Sequence, residues 1–201
     1  PGGAGLAWLD AEEGPVVTLA ALAEEHGDPA FCKVDAEGWD GEVLAGTPRG
    51  LVHVSAHGPR RFPDLPLAGR TRVFGLARGP GGELWASTLE GVVRFRWEKG
   101  GPADAVATTE LAGAPFGEAR GISVGPGGDV WFGTDGGGVV RFAGGRFERF
   151  AAGAGLPTGI ARVVLARPEG VWIGTDRGAF LLANGRAEPL AVSVPRSGAA
   201  G

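Results

Sequence analysis

The chain of 201 residues contains no tyrosine, no methionine and a single cysteine, Cys32. A lone cysteine rules out an internal disulfide framework and a thiolate metal cage, and it does not indicate the cellular compartment. Because Cys32 follows Phe31 in an apolar stretch, we expect a buried, unreactive thiol. No apolar run approaches the roughly 18 residues of a membrane span, so we expect none in this chain. With a net charge of −4, the chain lacks the excess of basic residues that is typical of nucleic-acid-binding proteins.

Other absences narrow the choice of chemistry. The chain has no Gly-x-Ser-x-Gly motif, the turn that carries the nucleophile of α/β-hydrolases. Its only histidines are His26, His53 and His57. His53 and His57 are four residues apart but lie in a region of strand and turn character, so we expect no metal site without further ligands. Because the chain begins Pro-Gly-Gly and has no methionine, we expect a fragment or a processed product.

Glycine is abundant, with 39 residues, and it accompanies a repeated motif. A tryptophan, two small or apolar residues and a threonine occur three times, and each copy is followed by a glycine and a short apolar run. The tryptophans are 46 and 41 residues apart, and a period near 40 with short strands is typical of β-propeller blades. The repeated residues are Trp85, Thr88, Gly91, Trp131, Thr134, Gly138, Trp172, Thr175 and Gly178.

The middle copy has the clearest strand pattern. Apolar stretches at 122–124, 130–132 and 139–142 are separated by Gly-rich turns, and 146–150 alternates polar and apolar residues. Four short strands in about thirty residues predict one antiparallel blade. The strands predicted for the other copies are 73–76, 83–85, 92–95 and 105–108, and then 161–165, 171–173, 179–182 and 187–190.

A weaker copy precedes these three. Residues 42–54 align with residues 170–182, with Leu44 in the place of the tryptophan, and residues 60–62 take the place of Arg149 and Phe150. We therefore predict a mainly β chain, a partial β-propeller of about three and a half four-stranded blades, preceded by a short α/β segment.

The pattern also predicts the roles of the repeated residues. We expect each tryptophan to pack flat between adjacent blades and each threonine to hold the following turn by a hydrogen bond. The glycine would satisfy a backbone requirement. Several arginines leave two interpretations open: they line a propeller mouth and meet an anionic ligand, or they are solvated strand edges, which we favour. These arginines are Arg60, Arg61, Arg94, Arg120, Arg141 and Arg162.

The repeated Trp-x-Gly-Thr and Gly-Gly-Val-Val-Arg-Phe patterns resemble the two-component-regulator propeller repeat over about residues 50–191. In that family the blades form the sensor part of membrane-anchored signalling proteins, usually outside the cytoplasm. The resemblance implies that the chain binds a small molecule, a glycan or a protein, without catalysis. Three and a half blades do not close a ring, since closed propellers have about four to eight. We therefore expect further blades in the same or another chain.

Residues 16–46 have a different pattern. Residues 18–27 have helical spacing with Thr18 as N-cap, residues 30–34 form a short apolar strand, and 39–44 form a second short helix. The string from Phe31 to Gly46 resembles the closing part of FkbM-family methyltransferases, which implies O-methylation with S-adenosylmethionine. The resemblance makes Asp35 and Glu37 weak catalytic candidates at the strand end; the structural alternative is a surface acidic turn.

Two hypotheses follow for the whole chain. The first is a non-catalytic recognition propeller with no cofactor, in which 1–46 is the α/β segment, 47–191 holds the blades and 192–201 is a flexible tail. The alternative is a fragment of an FkbM-like methyltransferase fused to a propeller. It would use S-adenosylmethionine and imply a cytoplasmic location. No glycine-rich cofactor turn follows a strand upstream, so the first hypothesis is preferred.

Overall fold

The structure is a computed structural model that describes residues 43–55, 57–62, 72–98, 101–112, 114–136 and 138–191. It is built almost entirely of β-strands. In the first half of the described chain these are β1 (Val43–Thr47), β2 (Gly50–Ser55), β3 (Gly58–Phe62), β4 (Val73–Arg78), β5 (Leu84–Thr88), β6 (Gly91–Glu98), β7 (Gly101–Thr108), β8 (Glu110–Leu111) and β9 (Ala114–Pro115). The remaining strands are β10 (Ala119–Val124), β11 (Val130–Thr134), β12 (Val139–Ala143), β13 (Arg146–Phe150), β14 (Ala161–Arg167), β15 (Gly170–Thr175), β16 (Gly178–Ala183) and β17 (Arg186–Pro189).

Consecutive strands pair antiparallel into four sheets, which confirms the predicted blades. We call them blade 1 (β1–β3), blade 2 (β4–β7), blade 3 (β10–β13) and blade 4 (β14–β17). In the described residues blade 1 has three strands, whose registers match the second to fourth strands of the other blades. A small pair, β8 with β9, leads from blade 2 to blade 3 and was not foreseen from the sequence.

The blades contact one another through their first and second strands. Strand β4 lies against β10, and β10 lies against β14, so the first strand of blades 2, 3 and 4 is the inner one. The hydrophobic core is therefore a series of blade junctions. One cluster joins blades 1 and 2, a second joins blades 2 and 3, and a third joins blades 3 and 4.

Part of the N-terminal prediction is wrong. Val43 and Leu44, expected at the end of a short helix over 39–44, lie in strand β1, paired with Val54 and His53. Leu44 is buried in the junction with blade 2, because a strand here lets it take the place of the missing tryptophan. The rest of the predicted α/β segment and the tail from residue 192 lie outside the described residues.

Candidate functional site

The repeated threonines close the turns between the second and third strands. The hydroxyl Oγ1 of Thr134 donates a hydrogen bond of 2.9 Å to the carbonyl oxygen of Gly138, and Thr88 donates one of 2.8 Å to Gly91. Both threonines are fully buried, so the bond satisfies hydroxyl groups that would be costly to bury without a partner. The same bond is made in blades 1 and 4 by Thr47 and Thr175.

The glycine after each threonine has a backbone requirement. Gly91 and Gly138 have φ of 131° and 76°, in the region that favours glycine. A Cβ on either would also overlap a carbonyl oxygen at the end of the fourth strand, that of Thr108 or Phe150. Gly178 has φ of 121°, but a Cβ there would meet no atom within 4 Å beyond its chain neighbours, so conformation alone favours glycine at this position.

Trp85 is buried between blades 2 and 3. It is 2% exposed, and the centre of its ring lies 4.7 Å from that of Phe142 and 5.6 Å from that of Phe132. The rings are tilted rather than parallel, by 53° and 55°, as is favourable for aromatic pairs. The residue thus lies between blades, although not flat against its neighbours.

The other two tryptophans differ from each other. Trp131 is 7% exposed and packs with Ile173 and Leu182 of blade 4. Trp172 is 41% exposed, because no described blade covers this face of blade 4. Its packing between blades therefore stays a prediction.

A carboxylate and an arginine accompany each buried tryptophan. Oδ2 of Asp129 accepts hydrogen bonds from Nε1 of Trp131 at 2.7 Å and from Nε of Arg141 at 3.0 Å. The guanidinium carbon of Arg141 also lies 5.6 Å from the centre of the Trp131 ring, a cation–π distance. Arg141 is therefore part of the blade junction rather than a solvated strand edge. Blade 2 repeats the arrangement with Glu83, Trp85 and Arg94.

The inner strands of blades 2, 3 and 4 share a β-bulge at the same place in the repeat. Their pairing with the second strand shifts register at Val73/Gly75, Ala119/Gly121 and Ala161/Val163. The extra residues are Phe74, Arg120 and Arg162, which we call the bulge rim. Bulges re-aim a side chain and are over-represented next to active sites. This shared feature makes the bulge rim the candidate functional site.

The residues of the bulge rim are neighbours. The guanidinium carbon of Arg120 lies 5.0 Å from the centre of the Phe74 ring. A Cβ on Gly121 would lie 2.9 Å from the carbonyl oxygen of Arg162, so the backbones of the second and third bulges are in contact. The bulges lie opposite the ends of the second strands, so the rim is at the end of the blades that carries the threonine turns.

The charges at the rim are partly balanced. Arg120 is ion-paired with Glu118 and lies 4.0 Å from a carboxylate oxygen of Asp135. Its side chain is 26% exposed, unlike a solvated strand edge, and its buried Nε has no hydrogen-bond partner among the described residues. Arg162 is exposed, and the guanidinium carbon of Arg72 lies 5.8 Å from the Phe74 ring centre. Two guanidinium groups, those of Arg72 and Arg120, therefore lie beside one aromatic ring.

The remaining candidates do not join this site. His53 is buried in blade 1, 4.8 Å from the ring of Trp97, whereas His57 is exposed in the turn between β2 and β3. Within the described ranges no three His, Cys, Asp or Glu side chains form a group that could hold a metal. Asp35, Glu37 and Cys32 lie outside the described residues.

Comparison with solved structures shows the fold. A structure described as the extracellular domain of a hybrid two-component system, BT4673 of B. thetaiotaomicron, matches with a TM-score of 0.65 at 15% identity, covering 84% of this chain and 22% of that one. Virginiamycin B lyase from Staphylococcus aureus matches with a TM-score of 0.57 at 20% identity, covering 83% and 56%.

This chain has a β-propeller type of fold. The extracellular domain of a second such system of B. thetaiotaomicron, BT3049, matches with a TM-score of 0.52 at 17% identity, covering 74% of this chain and 18% of that one. The propeller segment thus spans about a fifth of the length of these two extracellular domains. No protein-family model matches the chain, and no curated protein matches its sequence.

Sequence reasoning missed two features of this propeller. The bulges escaped it because a register shift leaves no compositional mark, although Phe74 and Arg120 each precede a glycine. Trp97 escaped it because it lies outside the repeated motif; its ring packs 5.3 Å from that of Phe62 in blade 1, and it fills the junction where Leu44 replaces the usual tryptophan.

Proposed function

We propose that this chain is a piece of a non-catalytic sensor propeller from a larger protein, and that its ligand binds at the bulge rim. The observation that carries the proposal is the recurrence of the bulge. Three consecutive inner strands insert an extra residue at the same place, which puts Phe74, Arg120 and Arg162 at the same end of the blades. The guanidinium of Arg120 lies beside the Phe74 ring, and the backbone of Arg162 adjoins that of Gly121. A repeat that served packing alone would not require an irregularity on the inner strand of each of blades 2, 3 and 4.

Further blades belong to this proposal, in the same chain or another. The exposed Trp172 face of blade 4 supports them, as does the small share of the BT4673 domain that this chain spans. The likeness in fold to extracellular domains of two-component systems supports a sensor role outside the cytoplasm. Among the described residues no helix combines the length and the hydropathy of a membrane span.

The rim favours an anionic ligand with an apolar face. Guanidinium groups bind carboxylates through paired, charge-assisted hydrogen bonds, and the exposed Arg162 supplies such donors. The Phe74 ring lies beside the guanidinium of Arg120 and offers a flat apolar surface. A uronic acid, which is a sugar ring carrying a carboxylate, combines both features.

The test is a titration of the ¹⁵N-labelled chain with galacturonate, and in parallel with galactose, its neutral counterpart. We expect galacturonate to shift the backbone amide signals of Phe74, Arg120 and Arg162, and galactose to leave them in place. Arg162→Ala should abolish the shifts. Arg146→Ala, which removes an exposed arginine from strand β13, should retain them. Shifts that persist in Arg162→Ala, or that spread without reference to the bulges, would contradict the proposal.

The alternative of a methyltransferase fragment gains no support from the described residues. Its motif falls on residues 16–46, of which the structure describes residues 43–46, and these lie in a blade strand. The recognition propeller is therefore the preferred hypothesis.

A further inference from the structure

A cleft of about 320 Å³ lies between blades 3 and 4. Its walls are the turns between the first and second strands of both blades and the turn between the third and fourth strands of blade 4. In an antiparallel sheet these turns lie at the opposite end from the threonine turns. The cleft, which we call the junction cleft, is therefore separate from the bulge rim.

Trp131 has fewer aromatic neighbours at the junction with blade 4 than Trp85 has at the preceding junction. Beside Trp85, the rings of Phe142 and Phe147 lie at centroid distances of 4.7 Å and 6.2 Å. The strand registers place Leu182 and Ala187 at the corresponding positions of blade 4. Ile173 similarly replaces Phe132, since each follows the repeated tryptophan directly.

The same cluster that holds Trp131 contains Ile173, Leu182 and Ala187. Of these three, Leu182 lines the junction cleft. Phe180 pairs with Ile173 where blade 3 has Val140 opposite Phe132, and it packs against the same cluster. Trp131 and Phe150 form the aromatic side of the cleft, with ring centres 5.4 Å apart. A volume near the lower end of the range for ligand sites suits a molecule with a single ring.

The charged groups of the cleft favour an anion. Its two carboxylates already have donors, since Asp129 accepts from Trp131 and Arg141, and Glu169 accepts from Nε1 of Trp172 at 3.1 Å. Arg141 donates to Asp129 through its Nε, so its two terminal nitrogens remain available to donate to a ligand. Arg167 lines the cleft and has no hydrogen-bond partner within the described chain, although its charge acts on the neighbouring carboxyl group of Glu169. The guanidinium groups of Arg141 and Arg167 therefore keep N–H donors that a ligand could use.

We propose that the junction cleft binds a small aromatic carboxylate. Its ring lies beside Trp131 and Leu182, which line the cleft. Its carboxylate accepts charge-assisted hydrogen bonds from Arg141 and Arg167. This site does not depend on the function proposed for the bulge rim, since the two lie at opposite ends of the blades.

The probes are phenylacetate, which has both the ring and the carboxylate, and two molecules that each have one of them, acetate and benzyl alcohol. Each is titrated into the full chain, and the indole N–H signal of Trp131 is followed by ¹H–¹⁵N NMR. Trp131→Phe assigns that signal. We expect phenylacetate to shift it with saturation, and to bind at least about tenfold more tightly than either partial probe, as the loss of one charge-assisted bond implies.

Two variants test the two halves of the site. Leu182→Phe introduces the side chain that blade 3 has at the equivalent position, Phe142. The larger ring should fill the cleft and abolish phenylacetate binding. The melting temperature should stay the same or rise. Arg167→Gln should weaken phenylacetate binding by about tenfold and leave benzyl alcohol unaffected. Arg146→Gln, at an exposed arginine that does not line the cleft, is the matched control and should bind as the unaltered chain does.

The outcomes that would overturn the proposal are distinct. Equal binding of acetate would mean that the arginines act as a bare charged surface, and equal binding of benzyl alcohol would remove the role of the carboxylate. No saturable shift with phenylacetate, or an unchanged shift in a folded Leu182→Phe variant, would show that the cleft is not a site. None of these outcomes alters the galacturonate test at the bulge rim.

Discussion

A Cβ placed on Gly133 in blade 3 would overlap the carbonyl oxygen of Ala161, where the inner strand of blade 4 begins, and would lie 3.1 Å from the carbonyl carbon. Gly46 has the same relationship to the next blade, since its Cβ would lie 2.6 Å from Cγ1 of Val73. The third residue of the Trp-x-Gly-Thr motif is thus small because the next inner strand rests on it. Gly174 in blade 4 would meet only Val163 of its own blade, at 3.5 Å.

Gly133→Ala should therefore destabilise the chain, by about 1–3 kcal/mol, because the inner strand of blade 4 must move to admit the methyl group. Gly174→Ala makes the same chemical change at the equivalent place in blade 4, where space is open, and should change the free energy of unfolding by less than about 0.5 kcal/mol. Urea unfolding of both variants measures the difference. Equal losses in the two would contradict the account of the junction.

Trp131→Ala should lower the free energy of unfolding by about 3–5 kcal/mol, the cost typical of deleting a large buried aromatic. The matched variant Trp172→Ala removes the same side chain where it is 41% exposed. It should cost clearly less, since less apolar surface returns to water. Thermal and urea unfolding of the two variants provide the comparison, and an unchanged melting curve for Trp131→Ala would refute the blade assignment.

Thr134→Val should destabilise the chain by about 0.5–1.5 kcal/mol, because the carbonyl of Gly138 still accepts from the backbone N–H of Thr134. It keeps the shape of the side chain but removes the hydroxyl that donates to Gly138, and so it leaves a buried carbonyl with one fewer partner. Thr175→Val removes the same bond to Gly178 where water can replace it, and should cost less. Chemical denaturation measures both, and a larger loss for Thr175→Val would count against burial as the deciding factor.

The carboxyl group of Glu169 has a pKa below its ordinary range. The main cause is a hydrogen bond from its own backbone N–H, followed by the indole of Trp172 and the charge of Arg167. A lowered pKa means that these interactions favour the charged form. Their contribution to stability is present at pH values above the ordinary pKa of a glutamate, and it is lost as the pH falls through the lowered pKa of Glu169. Trp172→Phe removes the indole donor and should raise the pKa of Glu169 part of the way back.

An NMR titration of the Glu169 side-chain carboxyl carbon measures this pKa. Trp131→Phe serves as the control, because Trp131 donates to Asp129 in the neighbouring blade instead, and it should leave the pKa of Glu169 unchanged. A pKa that is the same with and without the Trp172 indole would rule out that hydrogen bond in solution.

Much of the fold could be predicted from local sequence, because a blade is made of consecutive strands joined by short turns. Glycine and aspartate mark those turns, and the apolar runs between them mark the strands, so the four strands of blade 3 were expected close to where they lie. Strand β7 shows the limit: only its second half was expected, because Gly101–Thr108 pairs with an extended β6 through backbone groups that carry no sequence signature.

The candidate site could be predicted less well, because it depends on neighbours distant in sequence. Arg120 could be named as a residue of interest, but its place beside Phe74 follows from the packing of β10 on β4. The exposure of Trp172 follows from what lies across its face, whereas its motif is the same as that of Trp131. The local pattern of side chains determines where a strand forms. The adjacent blade determines whether a side chain on that strand is buried or exposed.

Because each blade packs against the next, the structure also predicts the order in which the blades unfold locally. Blade 4 contributes to one described junction, and the backbones of its outer strands β16 and β17 lie mainly against their own sheet. Repeats that contact only their neighbours open from the least supported side. Backbone amides of 178–189 should exchange with deuterium first and those around Trp85 and Phe132 last, so that the order of exchange along the chain ranks the junctions by strength.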